Sequence, residues 1–276
     1  MRIPGHFIFN GALQKPSDLI IGPANRGLRY GEGLFETMRL ENGAIKLEEF
    51  HRERLTRGLQ LLSLDFNPGW ESILTNITLC ADKNNCSDQA RVRLNIFGGD
   101  GGPTQLEAQI NYTIECEALN PEYKTLNHQG WAIDVFPDAQ KICDAFSSLK
   151  HNNFLPYLLA ARYAKNNQLD DALVFNQHGR IADSTIANIF YISDGNIITN
   201  PLHEGCIDGV MRRHLIQQFN LAGIPFREQP IEIQDLMDAE EIFLTNALAG
   251  IRWVGKFQDG DYPNEQTAAL YERFLQ

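Results

Sequence analysis

Apolar residues in the first third of the chain alternate in short runs that are interrupted by Asn-Gly pairs. HFIFNGAL predicts a hairpin turning at Asn10-Gly11, and GLFETMRLENGAIKL predicts two strands around Asn42-Gly43, because Asn-Gly favours two-residue hairpin turns. EEFHRERLTRGLQLLSL and PGWESILTNITLCADKN predict amphipathic helices. The first helical segment has leucines at helical spacing, namely Leu47, Leu55, Leu59 and Leu62. ARVRLNIFGG and QINYTIECEAL predict two further strands.

The apolar pattern fades over residues 117–128, which predicts a linker between two lobes, 1–119 and 120–276. GWAIDVFP then predicts a strand, and FSSLKHNNFLPYLLAARYAK predicts a helix preceded by Lys150. Asn152 and Asn153 are N-cap candidates, and Pro156 suits the first turn. One side of this helix carries Leu155, Leu158, Leu159 and Tyr163.

The remaining sequence is rich in predicted strands. DDALVFNQHGRIADSTIANIFYISDGNIITNP has turn signals at QHG and SDGN. GVMRRHLIQQFNLAG predicts a helix ending at Gly223, with one side formed by Met211, Leu215, Ile216 and Phe219. A strand in IPFREQPI, a short helix in IQDLMDA, and one bent strand or two strands in EIFLTNALAGIRWVGKF follow. The absence of a regular βαβ alternation argues for an α+β chain and against a Rossmann fold.

Composition narrows the possible partners. The net charge of −11 disfavours nucleic acid and anionic membranes, although a few arginines could still bind a small anion. The sequence contains no run of about 18 apolar residues, so no membrane-spanning helix is predicted. The first residues lack the pattern of a signal peptide. We therefore expect a cytoplasmic protein. Five cysteines without close CxxC spacing predict free thiols, and no Cys/His cluster predicts a metal site.

A few residues could carry chemistry, each with an ordinary structural alternative. Lys150, between an extended segment and a helix, could be an amine held for Schiff-base formation, although most lysines are simply solvated. EGCIDGVMRR places glycine and small residues before a helix, so its first amides could bind a phosphate or form a simple helix start. Arg54 could be a solvated helix residue, and Asp183 a turn or N-cap aspartate.

Read together, these segments resemble the class IV aminotransferases, fold type IV enzymes that use pyridoxal 5'-phosphate (PLP). RYGEGLFETMR resembles the family motif Y-G-D-G-x-F-E-T, with Glu32 in place of aspartate, and FHRERL resembles H-x-x-R-L. The stretch from Asp183 to Arg212 fits the family signature through Asn188, Phe190, Thr199, Gly209 and Arg212. The resemblance implies an α+β, two-lobed fold like that of D-amino acid aminotransferase. It has a small N-terminal lobe (1–119) and a larger, strand-rich C-terminal lobe (120–276) that carries the lysine, and family members are usually homodimers.

The resemblance also implies roles for individual residues. Lys150, 33 residues before Asp183, would form the Schiff base and move a proton between the substrate carbon and the cofactor. Arg54 and the amides of Val210 and Met211 would bind the phosphate. Asp183 stands where the family usually has glutamate, facing the pyridine nitrogen. Further cofactor contacts are implied for Thr185, Gly209, Asn246 and Ala247.

The substrate motifs are mixed. Phe35 follows the branched-chain and lyase pattern, and NIFGGD stands where D-amino acid enzymes carry R-x-H. RVRLNIFGGD resembles the branched-chain pattern YIRPLIFVGD, with Arg93 matching its arginine and Arg91 replacing its tyrosine, whereas LKHNNFL resembles the lyase segment K-H-x-N. Arg29 and Arg180 precede cofactor motifs and could bind a substrate carboxylate, against the commoner role of a surface arginine.

These motifs leave two reactions open. The sequence favours a transaminase that exchanges an amino group between a branched-chain-like or related amino acid and a 2-oxo acid. The alternative is 4-amino-4-deoxychorismate lyase, which releases pyruvate and 4-aminobenzoate, while a D-amino acid aminotransferase is less favoured. A non-catalytic PLP-binding protein is disfavoured because Lys150 and the phosphate-binding set are retained.

Overall fold

The computed structural model describes residues 5–18, 21–104 and 109–275, and the chain forms two compact units. The first unit comprises Met1–Asn120 and Leu149–Asn153, and the second comprises Pro121–Ser148 and Phe154–Gln276. The segment with Lys150, expected in the larger C-terminal lobe, therefore belongs to the first unit. Phe35 N donates to the Lys150 carbonyl at 2.9 Å, and Asn152 N donates to the Gly33 carbonyl at 3.0 Å. These bonds attach the segment beside a strand of the first unit.

The described part of the first unit is one antiparallel sheet with three helices. Its strands are β1 Phe7–Phe9, β2 Ala12–Gln14, β3 Gly33–Glu41, β4 Ala44–Ile45, β5 Gln89–Gly98 and β6 Ile110–Ala118. They follow the order β2-β1-β6-β5-β3-β4. Its helices are α1 Arg26–Tyr30, α2 Glu48–Leu61 and α3 Trp70–Lys83.

Both predicted Asn-Gly hairpins are confirmed. Asn10 and Gly11 have φ values of 49° and 83°, and Asn42 and Gly43 have 51° and 77°. This left-handed pair of residues produces the turn twist that matches two paired strands.

The two faces of this first sheet differ in chemistry. One face packs with α2 and α3 into an apolar core that includes Met38, Leu94 and Ile114. Because strand side chains alternate, the intervening positions lie on the opposite face. There Phe35 pairs across the strands with Asn95, and Thr37 with Arg93.

The described part of the second unit is a nine-stranded mixed sheet with four helices. Its strands are β7 Trp131–Lys141, β8 Asp171–Asn176, β9 Ile181–Ser184, β10 Asn188–Ser193, β11 Asn196–Thr199, β12 Phe226–Glu228, β13 Glu241–Asn246, β14 Gly250–Phe257 and β15 Gly260–Asp261. The order is β12-β11-β10-β13-β14-β7-β8-β9, with β15 beside β14. The helices are α4 Leu155–Asn166, α5 Val210–Ala222, α6 Ile233–Met237 and α7 Glu265–Leu275.

Parallel pairing in this second sheet is limited to β11 with β12, β14 with β7, and β7 with β8. The α+β prediction is therefore confirmed. EIFLTNALAGIRWVGKF forms two strands, β13 and β14, rather than one bent strand. Helix α7 follows them and was not predicted.

Two local predictions differ from the structure. Residues 117 and 118 still belong to β6, and a 3-10 turn covers Pro121–Lys124, so the stretch predicted as a linker is partly ordered. Phe154, not Asn152 or Asn153, is the N-cap of α4, without a side-chain hydrogen bond. Pro156 does occupy the first turn as expected.

The side of helix α4 that packs against the sheet is not the side that carries the leucines. Tyr157, Ala160 and Ala164 pack with buried residues of β7 and β8. Leu155, Leu158 and Leu159 are 62%, 46% and 36% exposed. Small alanines allow the helix to approach the strands closely, and the leucine side therefore lies at the surface of the chain.

Candidate active site

Lys150 lies against an aromatic ring of the first unit. Its Nζ is 4.6 Å from the centroid of the Phe35 ring, and the Cζ of Arg93 is 4.1 Å from the same centroid. The Phe35 ring is only 5% exposed, so it is a fixed surface for both cations. The structure thus brings together three of the predicted residues, Lys150, Phe35 and Arg93.

Arg93 is a partly buried cation. Burial lowers the pKa of Arg93 and the nearby Arg91 acts in the same direction, whereas Glu115 on the neighbouring strand β6 opposes them. Among residues 5–18, 21–104 and 109–275, no carboxylate lies within ion-pair distance of its guanidinium. Asn95, across from Phe35, has a buried Oδ1 without a hydrogen-bond partner in the same described ranges. Guanidinium donors and an amide acceptor therefore flank the Phe35 ring.

Arg54 is fixed by two residues on the core side of the sheet. Its Nε donates to Glu36 Oε1 at 2.8 Å and its Nη2 to Glu36 Oε2 at 2.5 Å. His51 Nδ1 is 2.6 Å from Glu36 Oε2, and His51 and Glu36 are almost fully buried. Burial alone would raise the pKa of Glu36, but Arg54 and His51 together lower it to about 2.

His51 is neutral in this cluster. Burial lowers the pKa of His51 and outweighs the opposing attraction of Glu36. With an ionised Glu36, His51 Nδ1 carries the proton that is donated. The predicted phosphate ligand Arg54 is therefore held by a carboxylate that remains ionised at neutral pH.

Asp183 is the centre of a buried polar group in the second unit. The Tyr157 hydroxyl donates to Asp183 Oδ1 at 3.0 Å and Oδ2 at 2.9 Å, and Ile207 N donates to Oδ2 at 2.9 Å. Lys141 Nζ lies 3.5 Å from Oδ2 and also donates to the Tyr157 hydroxyl. Burial and the Asp183 charge raise the pKa of Tyr157 well above its ordinary value, so the hydroxyl keeps its proton.

The loop before α5 leaves no room for a side chain at position 209. Asn188 Nδ2 donates to the Ile207 carbonyl at 2.7 Å, and a Cβ on Gly209 would lie 1.9 Å from Asn188 Oδ1. Helix α5 begins at Val210, so the amides of Val210 and Met211 precede any intrahelical acceptor. The predicted phosphate-binding loop is therefore a tight, glycine-dependent helix start.

Two other predicted cofactor residues hydrogen-bond within the protein, and a third lies in a turn that one of them closes. The Thr185 hydroxyl donates to Asp171 Oδ1 at 2.5 Å. Asn246 Oδ1 accepts from Leu248 N at 3.0 Å and Ala249 N at 2.9 Å, which closes the turn containing Ala247. These contacts are structural, and roles for Thr185, Asn246 and Ala247 toward a cofactor stay predictions.

The other arginines proposed for substrate binding already have partners. Arg29 Nε donates to the Pro23 carbonyl at 2.6 Å, and Arg91 Nη1 donates to Glu117 Oε1 at 2.6 Å. Arg180 makes a two-point contact with Glu204 at 2.7 and 2.6 Å. Of the four arginines, only Arg93 combines partial burial with the lack of an acidic partner within the described residues.

Four residues of these clusters were missed from the sequence. Glu36 and His51 lie inside the segments RYGEGLFETMR and FHRERL, so their ionisable side chains within two family motifs were a signal that the sequence offered. Lys141 ends a strand and Tyr157 lies in a helix, and no local signal distinguishes either residue.

Metal and disulfide chemistry find no support in the described ranges. No group of three His, Cys, Asp or Glu side chains there could hold a metal ion. All five cysteines are free thiols. No helix in the described residues is long and apolar enough to cross a membrane.

Comparisons with known proteins show similarity along most of the chain. A family model described as amino-transferase class IV matches residues 33–257. The aminodeoxychorismate lyase of Bacillus subtilis (strain 168) is 28% identical over 268 residues, covering 95% of this chain and 90% of that protein. A putative branched-chain-amino-acid aminotransferase of Methanocaldococcus jannaschii is 27% identical over 271 residues, covering 96% and 93%.

The fold is also similar to that of a solved structure. The branched-chain aminotransferase of Thermoproteus uzoniensis with norvaline superimposes with a TM-score of 0.87 at 20% identity, covering 98% of this chain and 93% of that one. At this identity the similarity concerns the fold alone.

Proposed function

The chain belongs to the class IV aminotransferases, a PLP-dependent enzyme family, and on this basis we propose that it is a 4-amino-4-deoxychorismate lyase. The proposed reaction removes a proton from the amine-bearing ring carbon and breaks the neighbouring C–O bond, which releases pyruvate and leaves 4-aminobenzoate. PLP, when bound as an imine of the substrate amine, stabilises the negative charge left on that carbon.

The residues present fit this cofactor. A phosphate group needs cationic and backbone N–H donors: Arg54 is a cation of the first unit, and the first amides of α5 are backbone donors of the second unit. That helix start requires glycine at position 209, since a side chain there would collide with Asn188. Asp183 supplies a carboxylate for the pyridine nitrogen.

Lys150 is the proposed catalytic residue. Its main chain is bonded to β3, and its Nζ rests on the Phe35 ring. A primary amine held in this way would hold the cofactor through its aldehyde and would act as the base at the substrate carbon. The neighbouring Arg93 would hold a substrate carboxylate by charge-assisted hydrogen bonds.

The polarity around Phe35 is the observation that carries the lyase proposal. Its neighbours on that sheet face are Thr37, Arg93 and Asn95, not aliphatic side chains. A branched-chain amino acid has a single carboxylate for Arg93, and its apolar side chain offers no hydrogen-bond donor to the Asn95 carbonyl. Aminodeoxychorismate carries two carboxylates, so it offers one to Arg93 and a second polar group to this polar face of the sheet. The 28% identity to the Bacillus subtilis lyase points the same way.

An aminotransferase is the second candidate, because the Methanocaldococcus jannaschii relative has nearly the same identity. It would use the same lysine to remove the same kind of proton. It would differ in where Lys150 delivers that proton, and the amino group would be transferred to a 2-oxo acid. Arg93 would then bind the α-carboxylate of the amino acid.

One paired assay tests the two reactions. The PLP-loaded enzyme is incubated with aminodeoxychorismate, and pyruvate and 4-aminobenzoate are measured. In parallel, L-leucine, L-glutamate and D-alanine are each added without an acceptor, and conversion to the pyridoxamine form is followed by absorbance. The lyase proposal requires equal amounts of both products. It fails if neither product forms while one amino acid converts the cofactor.

We also propose that the protein is a cytoplasmic homodimer. The exposed leucines of α4 follow Ile142 and Phe146 closely in the sequence. The side chains of Ile142 and Phe146 are 64% and 46% exposed. Such apolar surface is typical of a contact between subunits. The five free thiols are consistent with a reducing compartment.

A further inference from the structure

Asp183 is held by a second lysine and a tyrosine that the proposed reaction does not use. Lys141, Tyr157 and Asp183 are 8%, 4% and 1% exposed. The two short contacts to Oδ2, from Tyr157 and Ile207 N, and the ammonium 3.5 Å away surround one carboxylate oxygen. Within the part of the chain that the structure describes, the Tyr157 hydroxyl is the one hydrogen-bond donor to Oδ1. One side of the carboxylate is therefore fixed, and the other has spare acceptor capacity.

The charge of this group is balanced. An isolated carboxylate would be costly to bury, and the Lys141 ammonium compensates its charge. Tyr157 links the two, since it accepts from Lys141 Nζ and donates to Asp183. A carboxylate whose charge is partly compensated attracts a further cation less strongly than an unpaired one does.

We propose that Lys141 and Tyr157 are positioning residues for Asp183, and that they set how strongly its carboxylate retains a proton on a heteroaromatic nitrogen placed against it. The inference rests on the proposed PLP function, in which Asp183 faces the pyridine nitrogen. Tyr157 fixes the direction of the shorter aspartate side chain. Lys141 limits the negative charge that reaches the nitrogen.

Other ionisable groups next to this cluster are accounted for. The Cys206 thiol interacts electrostatically with Asp183 and Tyr157. Burial raises the pKa of Cys206 to about 12, so the thiol is neutral near neutral pH. Asp208 and Arg212 also lie close enough to act on Cys206. Arg212 is paired with Glu228 and the Asn200 carbonyl. Lys141 is therefore the cation in direct contact with Asp183.

The test titrates the visible absorbance of the PLP-bound protein against pH. Lys141→Met removes a positive charge beside Asp183, so protons on the bound cofactor are held to higher pH. We expect the midpoint of the absorbance change to rise by about 1 pH unit. Lys141→Arg keeps the charge and should retain the wild-type midpoint. Arg252→Met is the matched control, because Arg252 is a buried cation of the same unit bonded to the carbonyls of Glu122 and Thr125.

A second variant separates positioning from charge. Tyr157→Phe should raise the PLP dissociation constant about tenfold, the loss expected for one hydrogen bond to a charged group. Thermal unfolding of each apo variant reports any purely structural effect. The inference is overturned if Lys141→Met binds PLP and changes only the unfolding temperature, with an unmoved midpoint. Absence of PLP binding by the wild-type protein would instead refute the proposed function.

Discussion

Arg54 and Glu36 form a buried two-point ion pair in which Nε lies 2.8 Å from Oε1 and Nη2 lies 2.5 Å from Oε2. The guanidinium is thereby oriented by the strand that also carries Phe35. Because His51 bonds to the same carboxylate, the orientation of Arg54 depends on a three-residue cluster and not on its helix alone.

Glu36→Gln should destabilise the apo protein by about 3 kcal/mol, because it leaves a buried guanidinium without its anion. The measurement is urea unfolding followed by circular dichroism. Glu49→Gln is the matched control, since Glu49 is paired with Arg52 on the exposed side of α2. An equal, small effect of both substitutions would show that the buried ion pair contributes no more to the free energy of unfolding than the exposed pair does.

Stability should depend on pH in two steps because of the same cluster. The folded pKa of His51 is below its ordinary 6.5, so the unfolded chain binds the extra proton and stability falls as pH drops below about 6.5. The folded pKa of Glu36 is about 2, below its ordinary 4.5. Its contribution is complete above 4.5 and is lost as pH falls toward 2. His51→Asn should remove the first step in a series of urea unfolding curves, and persistence of that step would assign it to another group.

Lys150→Ala should abolish the visible absorbance that PLP gains when its aldehyde is bound by a lysine, and should reduce turnover at least about a thousandfold. Absorbance of the protein after PLP addition and desalting is the measurement. Lys165→Ala, on the exposed side of α4, is the control and should keep the band. A band that survives in Lys150→Ala would move the assignment to another lysine.

Arg93→Met should lower kcat/KM for a carboxylate substrate by about 10- to 100-fold, mainly through KM, because one charge-assisted contact is lost. Arg93→Lys should recover part of the loss, since it restores the charge without the planar fork. Steady-state kinetics with Arg52→Met as a surface control provide the comparison. An unchanged KM would exclude Arg93 from the substrate site.

Leu158→Glu should convert the proposed homodimer into monomers, because a carboxylate would be buried in an apolar contact. Light scattering after size-exclusion chromatography gives the mass directly, against the 31.2 kDa of one chain. Glu272→Gln, a charge change on α7, should leave the mass unchanged. A dimer that persists in Leu158→Glu would place the contact elsewhere.

Local signals predicted much of the fold. The Asn-Gly turns gave both hairpins, because these residues tolerate the left-handed backbone that such turns require. Helical spacing gave α2, α3 and α5, including the end of α5 at Gly223, whose φ is 65°. The orientation of α4 was not predictable in this way. A row of leucines on a helix can pack against a sheet of its own chain or against a second chain, and the sequence does not distinguish the two. In the structure, Tyr157 and the small alanines pack against the sheet.

Most of the strands and helices, the family resemblance and the candidates Lys150, Arg54, Asp183 and Arg93 could be predicted from the sequence, although α1, β15 and α7 were not. The partners of these candidates became visible in the three-dimensional structure. Lys141 is opposite Asn176 in the β7–β8 pair and Asp183 is opposite Val174 in the β8–β9 pair, and this strand pairing brings two residues 42 positions apart into contact. Turns and helices depend on bonds between near neighbours, whereas the partner of a buried charge depends on strand register. For that reason the lysine could be recognised from its surroundings in sequence, but the residues that hold Asp183 could not.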